Sequence, residues 1–507
     1  MNLNKIPVNK KVVMSYFKKG WNEDVFQFGT SGLKMYSKKV KPDGIEDLIS
    51  MNALFRPGPM DSRAHEHFVD IKHGRKEPEF DGFMEVVTEN TFGLYVYQEQ
   101  IMQAMVVGGL TLAEADQVRT YMKKFDDKSL HKFKEKFIEG YSKLFKVDDR
   151  EYAEAVWNKL YAFSGYGFNR SHSAAYSLMG YWCQYLKVKY PLEFWASSLN
   201  FADEKTEIPN RLSEIEKTEC GIDVKPPDVN KSHFQFTSDP ETNSIYWSLT
   251  KIKGVGEIAA ANIIESKGDG EFHDLGDFLG KVPKAKVNKK VVQILIMSGA
   301  FDEIGGENGL GIEEVKQRYK ILQNHAQIVG CDLPKDVLES DSVNSNWFWS
   351  IRQKELTGFG FVNFPALIKM KNHKLKKFPY CTASDFEKKD LVDGLSWTPE
   401  KTGKPFTIAG RIHFMKERKS KNGNWIVRLS IESNNSLLNL GVFGDLYDNF
   451  REDFLELSKT KGLFCVNGWG LDTKPYGRKP NKGDSKNNEL WLNKESKLIF
   501  LTKKESK

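Results

Sequence analysis

Three cations on one predicted helix are the first candidates for chemistry in this sequence. Arg119, Lys123 and Lys124 are spaced i, i+4 and i+5, so a helix presents them along one side. Guanidinium and ammonium groups on one helix side can bind phosphate oxygens. The same spacing suits the solvated face of an ordinary helix, so the sequence leaves two interpretations open: a phosphate-binding face and a solvated face.

The second candidate is a polar, glycine-containing loop that leads into a predicted helix. Asn169, Arg170 and His172 concentrate hydrogen-bonding groups where that helix begins. A helix start favours anions because its first N–H groups lack partners and the helix dipole is positive there. Helix capping explains the same residues without a ligand. The loop aromatics Tyr166 and Phe168 either stack on a base or are buried.

A Gly-Val-Gly turn is the third candidate. Residues 251–264 predict a helix, a hairpin and a second helix, and residues 288–301 predict a second copy. Beside Lys253, the glycines Gly254 and Gly256 let the backbone approach a DNA phosphate closely. Such units contact the DNA backbone and not base edges, so they predict sequence-independent binding; a purely structural copy of the motif is the alternative.

The last part of the chain has the alternating pattern of β-strands. Residues 405–501 follow the order strand, hairpin, strand, helix, strand, and Asn422-Gly423 marks the hairpin. That order is typical of a small OB-type barrel, whose face binds single-stranded nucleic acid; a protein partner on this face is the alternative. Residues 228–249 predict another β-hairpin. The residues expected to contact the single strand are Arg411, Lys416, Arg418, Lys419 and Trp425.

Composition narrows the class of protein. With 507 residues, 40% of them hydrophobic, the chain is long enough for about three domains. No apolar run approaches the ~18 residues of a membrane span, and no secretory signal is recognisable, so we expect a cytoplasmic protein without a membrane partner. Five dispersed cysteines argue against disulfides or a zinc site. The net charge of +7 is modest, but the basic residues form separated patches; these suit either an extended polyanion or the solvated faces of unrelated helices and loops.

The elements that must position these residues are mostly helical. Apolar residues recur at helical spacing on both sides of Gly108 and Gly109, which predicts two helices joined by a turn. Thr111 and Glu114 have the spacing of a capping box at the start of the second helix. Two prolines predict an extended, helix-breaking segment at 53–60. The predicted fold class is α+β and multidomain, mostly helical, with a small β-barrel at the end.

In order along the chain, these segments resemble the alpha subunit of bacterial DNA polymerase III, a family C polymerase. The resembling segments are VFQFGTSGLKMY, ALFRPGPM, TFGLYVYQEQIM, ADQVRTYMKK, FSGYGFNRSHSAAYSLMGYW, YPLEFWASSLN, IKGVGE and LIMSGAFD. The resemblance implies a fingers region at 1–205 and a clamp-binding domain with tandem helix-hairpin-helix units at 206–325. A connector at 326–402 and an OB domain at 403–507 would follow.

The resemblance also implies roles for the candidates. Arg119, Lys123 and Lys124 would hold the triphosphate of an incoming deoxynucleotide (dNTP). The loop from Tyr166 to His172 would line the nucleotide pocket near the sugar and base. Arg56 in FRPG matches the family too, and it either contacts DNA or only shapes the turn.

One expected feature is missing from the sequence. Family C polymerases need three palm aspartates that hold two Mg²⁺ ions, and two of these form an Asp-x-Asp motif. No two aspartates in this chain are separated by a single residue. We therefore expect no catalytic or metal-binding residues here, and Mg²⁺ to be held, with the dNTP, by the palm of another chain.

Three interpretations follow from this absence. The favoured one is a split polymerase, in which a separate N-terminal chain supplies the palm, thumb and PHP domains. The others are an inactive truncated product and a non-catalytic DNA-binding replication accessory protein. The expected partners are primed and single-stranded DNA, dNTP and the N-terminal chain. A sliding clamp stays an open partner, because Gln327 in QIVGCDL matches the clamp-binding peptide weakly.

Overall fold

The chain forms two compact units, Met1–Ser198 and Leu199–Lys507. The structure, a computed structural model, describes residues 2–124, 127–145, 150–164, 167–202, 207–218, 220–306, 313–340, 343, 346–361, 406–419, 423, 425–433, 436–460, 463–468, 471–472, 490–492 and 497–501. Helices predominate and strands are concentrated near the end, so the predicted α+β class is confirmed. None of the helices described is both long enough and apolar enough to span a lipid bilayer.

The first unit is helical. Its α-helices, with α12 running into the second unit, are α1 Lys11–Lys19, α2 Ser31–Val40, α3 Ile45–Leu54, α4 Pro57–Asp61, α5 Ala64–Lys72, α6 Glu85–Thr88, α7 Gln98–Val107, α8 Leu112–Lys124, α9 Asp127–Phe145, α10 Arg150–Ser164, α11 Arg170–Lys189 and α12 Pro191–Asn200. Single 3₁₀ turns lie at Leu3–Lys5, Gly82–Met84 and Glu89–Thr91. Two apolar cores hold the unit together, one among α1, α2, α3, α5 and α11 and one among α6 to α10.

Local sequence signals explain several helix ends. Helices α7 and α8 flank Gly108-Gly109, as predicted. The capping box is also confirmed, because the Glu114 N–H donates to the Thr111 hydroxyl oxygen at 3.3 Å and the Thr111 N–H donates to the Glu114 carboxylate at 2.8 Å. The prediction of an extended segment at 53–60 is wrong in part. Pro57 begins the short helix α4, since a proline at the first helical position loses no intrahelical hydrogen bond.

The second unit contains the remaining helices and all the described strands. Its α-helices are α13 Glu207–Thr218, α14 Glu257–Lys267, α15 Leu275–Lys281, α16 Lys289–Ser298, α17 Arg318–Val329, α18 Lys335–Leu338, α19 Asn346–Thr357, α20 Asp445–Asp448 and α21 Arg451–Thr460, with a 3₁₀ turn at Val315–Gln317. Strands β1 Asp223–Lys225, β2 Thr237–Asp239 and β3 Ser244–Tyr246 form a sheet in the order β1-β3-β2. The antiparallel pairing of β2 with β3 confirms the hairpin predicted within 228–249.

The later strands form one larger sheet. They are β4 Phe406–Lys419, β5 Trp425–Ser433, β6 Ser436–Phe443, β7 Leu463–Gly468, β8 Leu471–Asp472, β9 Leu490–Leu492 and β10 Lys497–Leu501, in the spatial order β10-β7-β4-β5-β6-β9-β8. The antiparallel pairing of β4 with β5 confirms the predicted hairpin, whose Asn422 lies outside the described residues. No pairing among the described strands closes this sheet, so the OB-type barrel stays a prediction, as do the domain boundaries at 205, 325 and 402.

Helix α11 holds the segment 21–29 against its own surface. The ammonium group of the buried Lys187 donates to the carbonyl oxygens of Trp21 and Glu23 at 3.3 and 2.6 Å. At Gly180, an added Cβ would lie 2.8 Å from the Phe26 carbonyl oxygen and 2.8 Å from the Phe28 ring. Segment and helix therefore approach each other more closely than any side chain at position 180 allows.

We predict that Gly180→Ala destabilises the protein by about 1–3 kcal/mol, because the new methyl group overpacks this contact. The steric cost itself exceeds the ~1 kcal/mol that alanine otherwise gains over glycine in a helix, so the net change is destabilising. Urea unfolding of the full chain measures the change. Gly280→Ala in α15, where a Cβ meets no atom within 4 Å, is the matched control and should be neutral or stabilising. Equal shifts in the two variants would contradict the close-contact explanation.

Candidate functional site

The starts of α7 and α11 are fixed side by side by the loop that precedes α11. The Phe168 N–H donates to the Val96 carbonyl oxygen at 3.1 Å, and the Gln98 N–H donates to the Phe168 carbonyl oxygen at 2.8 Å. These two bonds form a parallel β-bridge. The Gln98 side-chain amide adds a bond to the Gly167 carbonyl oxygen at 3.0 Å. The positive ends of two helix dipoles therefore meet at one place.

Side chains of the protein itself accept hydrogen bonds from two N–H groups at the start of α11. The Asn169 side-chain oxygen accepts from the His172 N–H at 2.7 Å, which confirms helix capping as one role of Asn169. The Arg170 N–H donates to both Glu99 carboxylate oxygens, at 2.9 and 3.0 Å. A carboxylate thus lies at the helix start where the sequence predicted an anion.

The Arg170 side chain pairs with a second carboxylate. Its Nη2 donates to Glu46 Oε2 at 2.7 Å, and its guanidinium carbon lies 5.7 Å from the centroid of the Tyr97 ring. The two partners of the ion pair remain 42% and 55% exposed. Exposed pairs of this kind contribute about 0–1 kcal/mol, so an incoming anion can compete with Glu46 at small cost.

A row of planar side chains begins beside this helix start. The Arg56 guanidinium lies 4.7 Å from the Phe168 ring centroid, and the Phe168 and His172 rings are 5.5 Å apart. His172 and Tyr176 follow at 4.1 Å, and Tyr176 and Phe26 at 5.1 Å. The sequence singled out Phe168 and His172 for a nucleotide pocket, and the structure places them within this longer row.

Of the three cations on α8, only Arg119 has a described side chain. Its Nε and Nη2 donate to Asp116 Oδ1 at 3.0 and 2.8 Å, one helical turn away. The side chains of Lys123 and Lys124 and the whole of Tyr166 lie outside the described residues. Arg119 therefore resembles Arg170 in resting against an exposed carboxylate of its own chain.

Glu114 ties the start of α8 to α9. Lys136 donates to the Glu114 carboxylate at 2.7 Å, and the Thr111 backbone and hydroxyl groups donate to it at 2.8 and 2.9 Å. These hydrogen bonds, that from Lys136 above all, lower the pKa of Glu114 to about 2.

In the second unit, the turn that contains Gly254 and Gly256 is exposed. Gly254 has a φ of +96°, and a Cβ there would lie 2.6 Å from Ile294 Cδ1, so glycine is required for the fold. At Gly256, which precedes α14, an added Cβ meets no atom within 4 Å. Lys253 is exposed beside them, while its N–H donates to the Leu356 carbonyl oxygen at 2.8 Å.

The prediction of a helix before this turn is wrong. Residues 249–255 form successive tight turns, in which the Ile252 N–H donates to the Leu249 carbonyl oxygen and the Val255 N–H to that of Ile252. The predicted second copy at 288–301 does contain a helix, α16, with α15 before it. Asn288 caps α16 by accepting from two backbone N–H groups. Four lysines are exposed between α15 and α16 and in the first residues of α16: Lys284, Lys286, Lys289 and Lys290.

One face of strand β4 exposes an aromatic ring and two of the predicted cations. Phe414, Lys416 and Arg418 alternate along the strand and are all exposed. Lys416 lies directly opposite the exposed Arg428 of β5, which adds a third cation to this surface. The side chain of Arg411 lies outside the described residues.

Trp425 is partly buried and held between cations. The Lys419 ammonium group and the Arg451 guanidinium carbon each lie 5.0 Å from the centroid of its ring. Arg451 also donates to Glu417 at 3.0 Å, and the Tyr447 hydroxyl donates to the other oxygen of that carboxylate at 2.7 Å. Trp425 therefore has neighbours within the protein that a stacking base would join or displace.

Sequence reasoning missed four residues of the first unit's site: Glu46, Glu99, Phe26 and Tyr176. Glu99 stands in the first turn of a predicted helix, where acidic residues are favoured, and this is the one signal that pointed to it. Glu46 lies 124 positions from Arg170, so no local pattern joins them. Among the described residues, no group of three or more His, Cys, Asp or Glu side chains is placed to share a metal ion.

Comparison with protein families finds two matching segments. Residues 1–144 match the finger domain of the bacterial DNA polymerase III alpha subunit, and residues 221–309 match a helix-hairpin-helix motif. Both lie where the sequence suggested them, so the family resemblance is confirmed.

Curated relatives carry the same resemblance along most of the chain. DNA polymerase III subunit alpha of Campylobacter jejuni is 33% identical over 452 residues, which cover 86% of this chain and 37% of that protein. The protein of the same name in Escherichia coli K12 is 30% identical over 475 residues, covering 89% and 39%. That of Bacillus subtilis is 36% identical over 338 residues, covering 66% and 29%. The chain thus spans less than half the length of these relatives.

The contacts of Glu114 predict an acid-sensitive helix start. Because folding lowers the pKa of this carboxyl from 4.5 to about 2, its contribution to stability is present above about pH 4.5 and is lost as the pH falls towards 2. Glu114→Gln should therefore reduce the drop in melting temperature across that interval, and Lys136→Gln should have a similar effect. Thermal melts at a series of pH values measure it. Parallel curves for the wild-type chain and Glu114→Gln would contradict the assignment.

Proposed function

Because the chain belongs to the family of the bacterial DNA polymerase III alpha subunit, we propose that it binds primed template DNA and an incoming dNTP during template-directed DNA synthesis. One observation carries this proposal. Within the segment related to the family, two helix starts meet at Arg170, beside the row of planar groups that contains Phe168 and His172. Phosphate and base would each find a complementary surface there.

The nucleotide triphosphate would bind by replacing carboxylates of the protein. Arg170 would exchange Glu46 for a phosphate oxygen, and Arg119 would exchange Asp116 in the same way. Both ion pairs are exposed and weak, so the exchange costs little. Lys123 and Lys124 on α8, and the loop residues Tyr166, Asn169 and His172, complete the proposed nucleotide site.

The second unit would bind DNA by contacting the phosphates of the DNA backbone. Lys253, Gly254 and Gly256 form an exposed turn at the start of α14, where N–H groups without intrahelical partners can donate to a phosphate. The lysines near the start of α16 would contact further phosphates. The β4 surface around Lys416 and Arg418, with Lys419 and Trp425 at the end of the hairpin and Arg411 on the same strand, would bind single-stranded template.

Neither the aspartate spacing in the sequence nor the described residues fit a two-metal site. The sequence lacks an Asp-x-Asp pair, and the described part of the chain places no cluster of carboxylates for Mg²⁺. In polymerases the two ions activate the primer 3′ hydroxyl and stabilise the leaving pyrophosphate. We propose that a palm-bearing polypeptide, with thumb and PHP domains, supplies these ligands, while the residues described above bind and orient the phosphates and the base.

A second candidate function is that of a non-catalytic DNA-binding replication accessory protein. Arg119 and Arg170 already have carboxylate partners. This pairing supports the second candidate, because two arginines with a purely structural role would also be paired with carboxylates. The two candidates differ in whether nucleotide changes DNA binding.

We predict that the purified chain binds primed DNA but does not extend the primer when Mg²⁺ and dNTPs are present. Addition of a polypeptide with the palm, thumb and PHP domains of a related polymerase should restore synthesis. In that assembly Arg170→Ala should raise the KM for dNTP about tenfold or more, because a hydrogen bond to a charged group is lost. A primer-extension assay measures both effects, with the exposed Lys143→Ala on α9 as a control.

Extension by the chain alone would overturn the divided site. Binding of DNA that nucleotide leaves unchanged, together with full activity of Arg170→Ala in the assembly, would favour the accessory protein.

We also predict that Gly256→Ala weakens duplex binding about tenfold at low salt while lowering stability by no more than about 1 kcal/mol, the cost of alanine replacing glycine as the N-cap of α14. The added methyl group meets no protein atom within 4 Å, so any loss reflects DNA that approaches the backbone there. Titrations at several salt concentrations measure it. Gly270→Ala, beyond the other end of α14, is the matched control. Unchanged duplex affinity for Gly256→Ala would exclude close phosphate contact at this turn.

A further inference from the structure

Phe26 is an exposed aromatic side chain on a segment that also contributes two residues to the core. It is 37% exposed, whereas Val25 and Phe28 on the same segment are 2% and 0% exposed. Lys187 anchors the segment through Trp21 and Glu23, as described above. The exposure of Phe26 is therefore not a property of a loose loop.

The backbone on both sides of Phe26 is strained. Asp24 and Gln27 have φ values of +53° and +65°, in the left-handed region that residues other than glycine rarely adopt. Such conformations cost about 1–2 kcal/mol each and recur at functional sites. Gly180 lets the Phe26 carbonyl approach α11 closely. The fold accepts strain at two residues and holds Phe26 at the surface.

Phe26 is the outer member of the row of planar groups. His172 and Tyr176 are one turn apart on one side of α11, and Phe168, just before the helix, packs against His172. Successive ring centroids from Phe168 to Phe26 are 5.5, 4.1 and 5.1 Å apart, so the rings extend over at most about 15 Å, against roughly 3.4 Å per nucleotide in a stacked strand. The row can therefore accompany about three nucleotides.

We propose that Phe26 and Tyr176 extend the nucleotide site into a stacking surface for the unpaired bases of a DNA strand, an inference that rests on the proposed function. The chemistry of the row favours bases as its occupant, because every member is planar and the Arg56 guanidinium lies over Phe168 at the end opposite Phe26. Aromatic rings and arginine planes are the groups on which unpaired bases stack. The surface would hold the template overhang beyond the primed duplex.

The test is binding of the full chain to two labelled DNAs, a blunt duplex and the same duplex with a 5′ overhang of about six nucleotides. Phe26→Ala should weaken binding of the overhang DNA about five- to tenfold and leave the blunt duplex unchanged, since one base-stacking partner is lost. Phe26→Tyr should bind like the wild type. Met35→Ala, another exposed apolar residue of the first unit, is the matched control.

A stacking-specific signal separates this role from packing. With 2-aminopurine in the overhang, wild-type protein should change the fluorescence of the base, and Phe26→Leu, which keeps an apolar side chain, should lose most of that change. An unaltered signal and affinity in Phe26→Ala and Phe26→Leu, with DNA still bound, would overturn the stacking surface alone. Failure of the wild-type chain to bind either DNA would overturn the proposed function and this inference with it.

Discussion

The β-bridge between Tyr97 and Phe168 is the contact on which the candidate site depends. It fixes the starts of α7 and α11 next to each other and brings Glu99 to the Arg170 N–H. From that start, α11 carries His172 and Tyr176 outward on one side and Lys187 inward to the segment that bears Phe26. Phosphate-binding groups and aromatic rings thus take their positions from one short stretch of paired backbone.

Signals of short range in the sequence predicted much of the fold. Gly108-Gly109, the Thr111 capping box and the Asn169 cap each act within a few residues, and each is present in the structure. Pro57 was misjudged because proline both breaks a helix and begins one, and the choice depends on the next residues. The turns before Gly256 are held partly by the distant Leu356 carbonyl, which no local pattern reveals.

The sequence predicted the cations of the candidate site but not the carboxylates with which they pair. Arg119 and Arg170 stand out by type and by their place near helix starts or on one helix side. Their resting contacts differ in range: Asp116 is one turn away, whereas Glu46 is 124 positions away and meets Arg170 only because α3 packs against α11. Phe26 lies in the segment that matches the finger domain, yet its exposure depends on left-handed backbone that the sequence does not show.

The carboxylates around Arg170 have a consequence for ligand selection. An anion with a single charge that replaces Glu46 exchanges one exposed ion pair for another and gains almost nothing. A ligand with several negative charges gains more, since the dipoles of α7 and α11 also point towards it. In the proposed nucleotide site, a ligand with several negative charges is therefore favoured over a small anion with one charge.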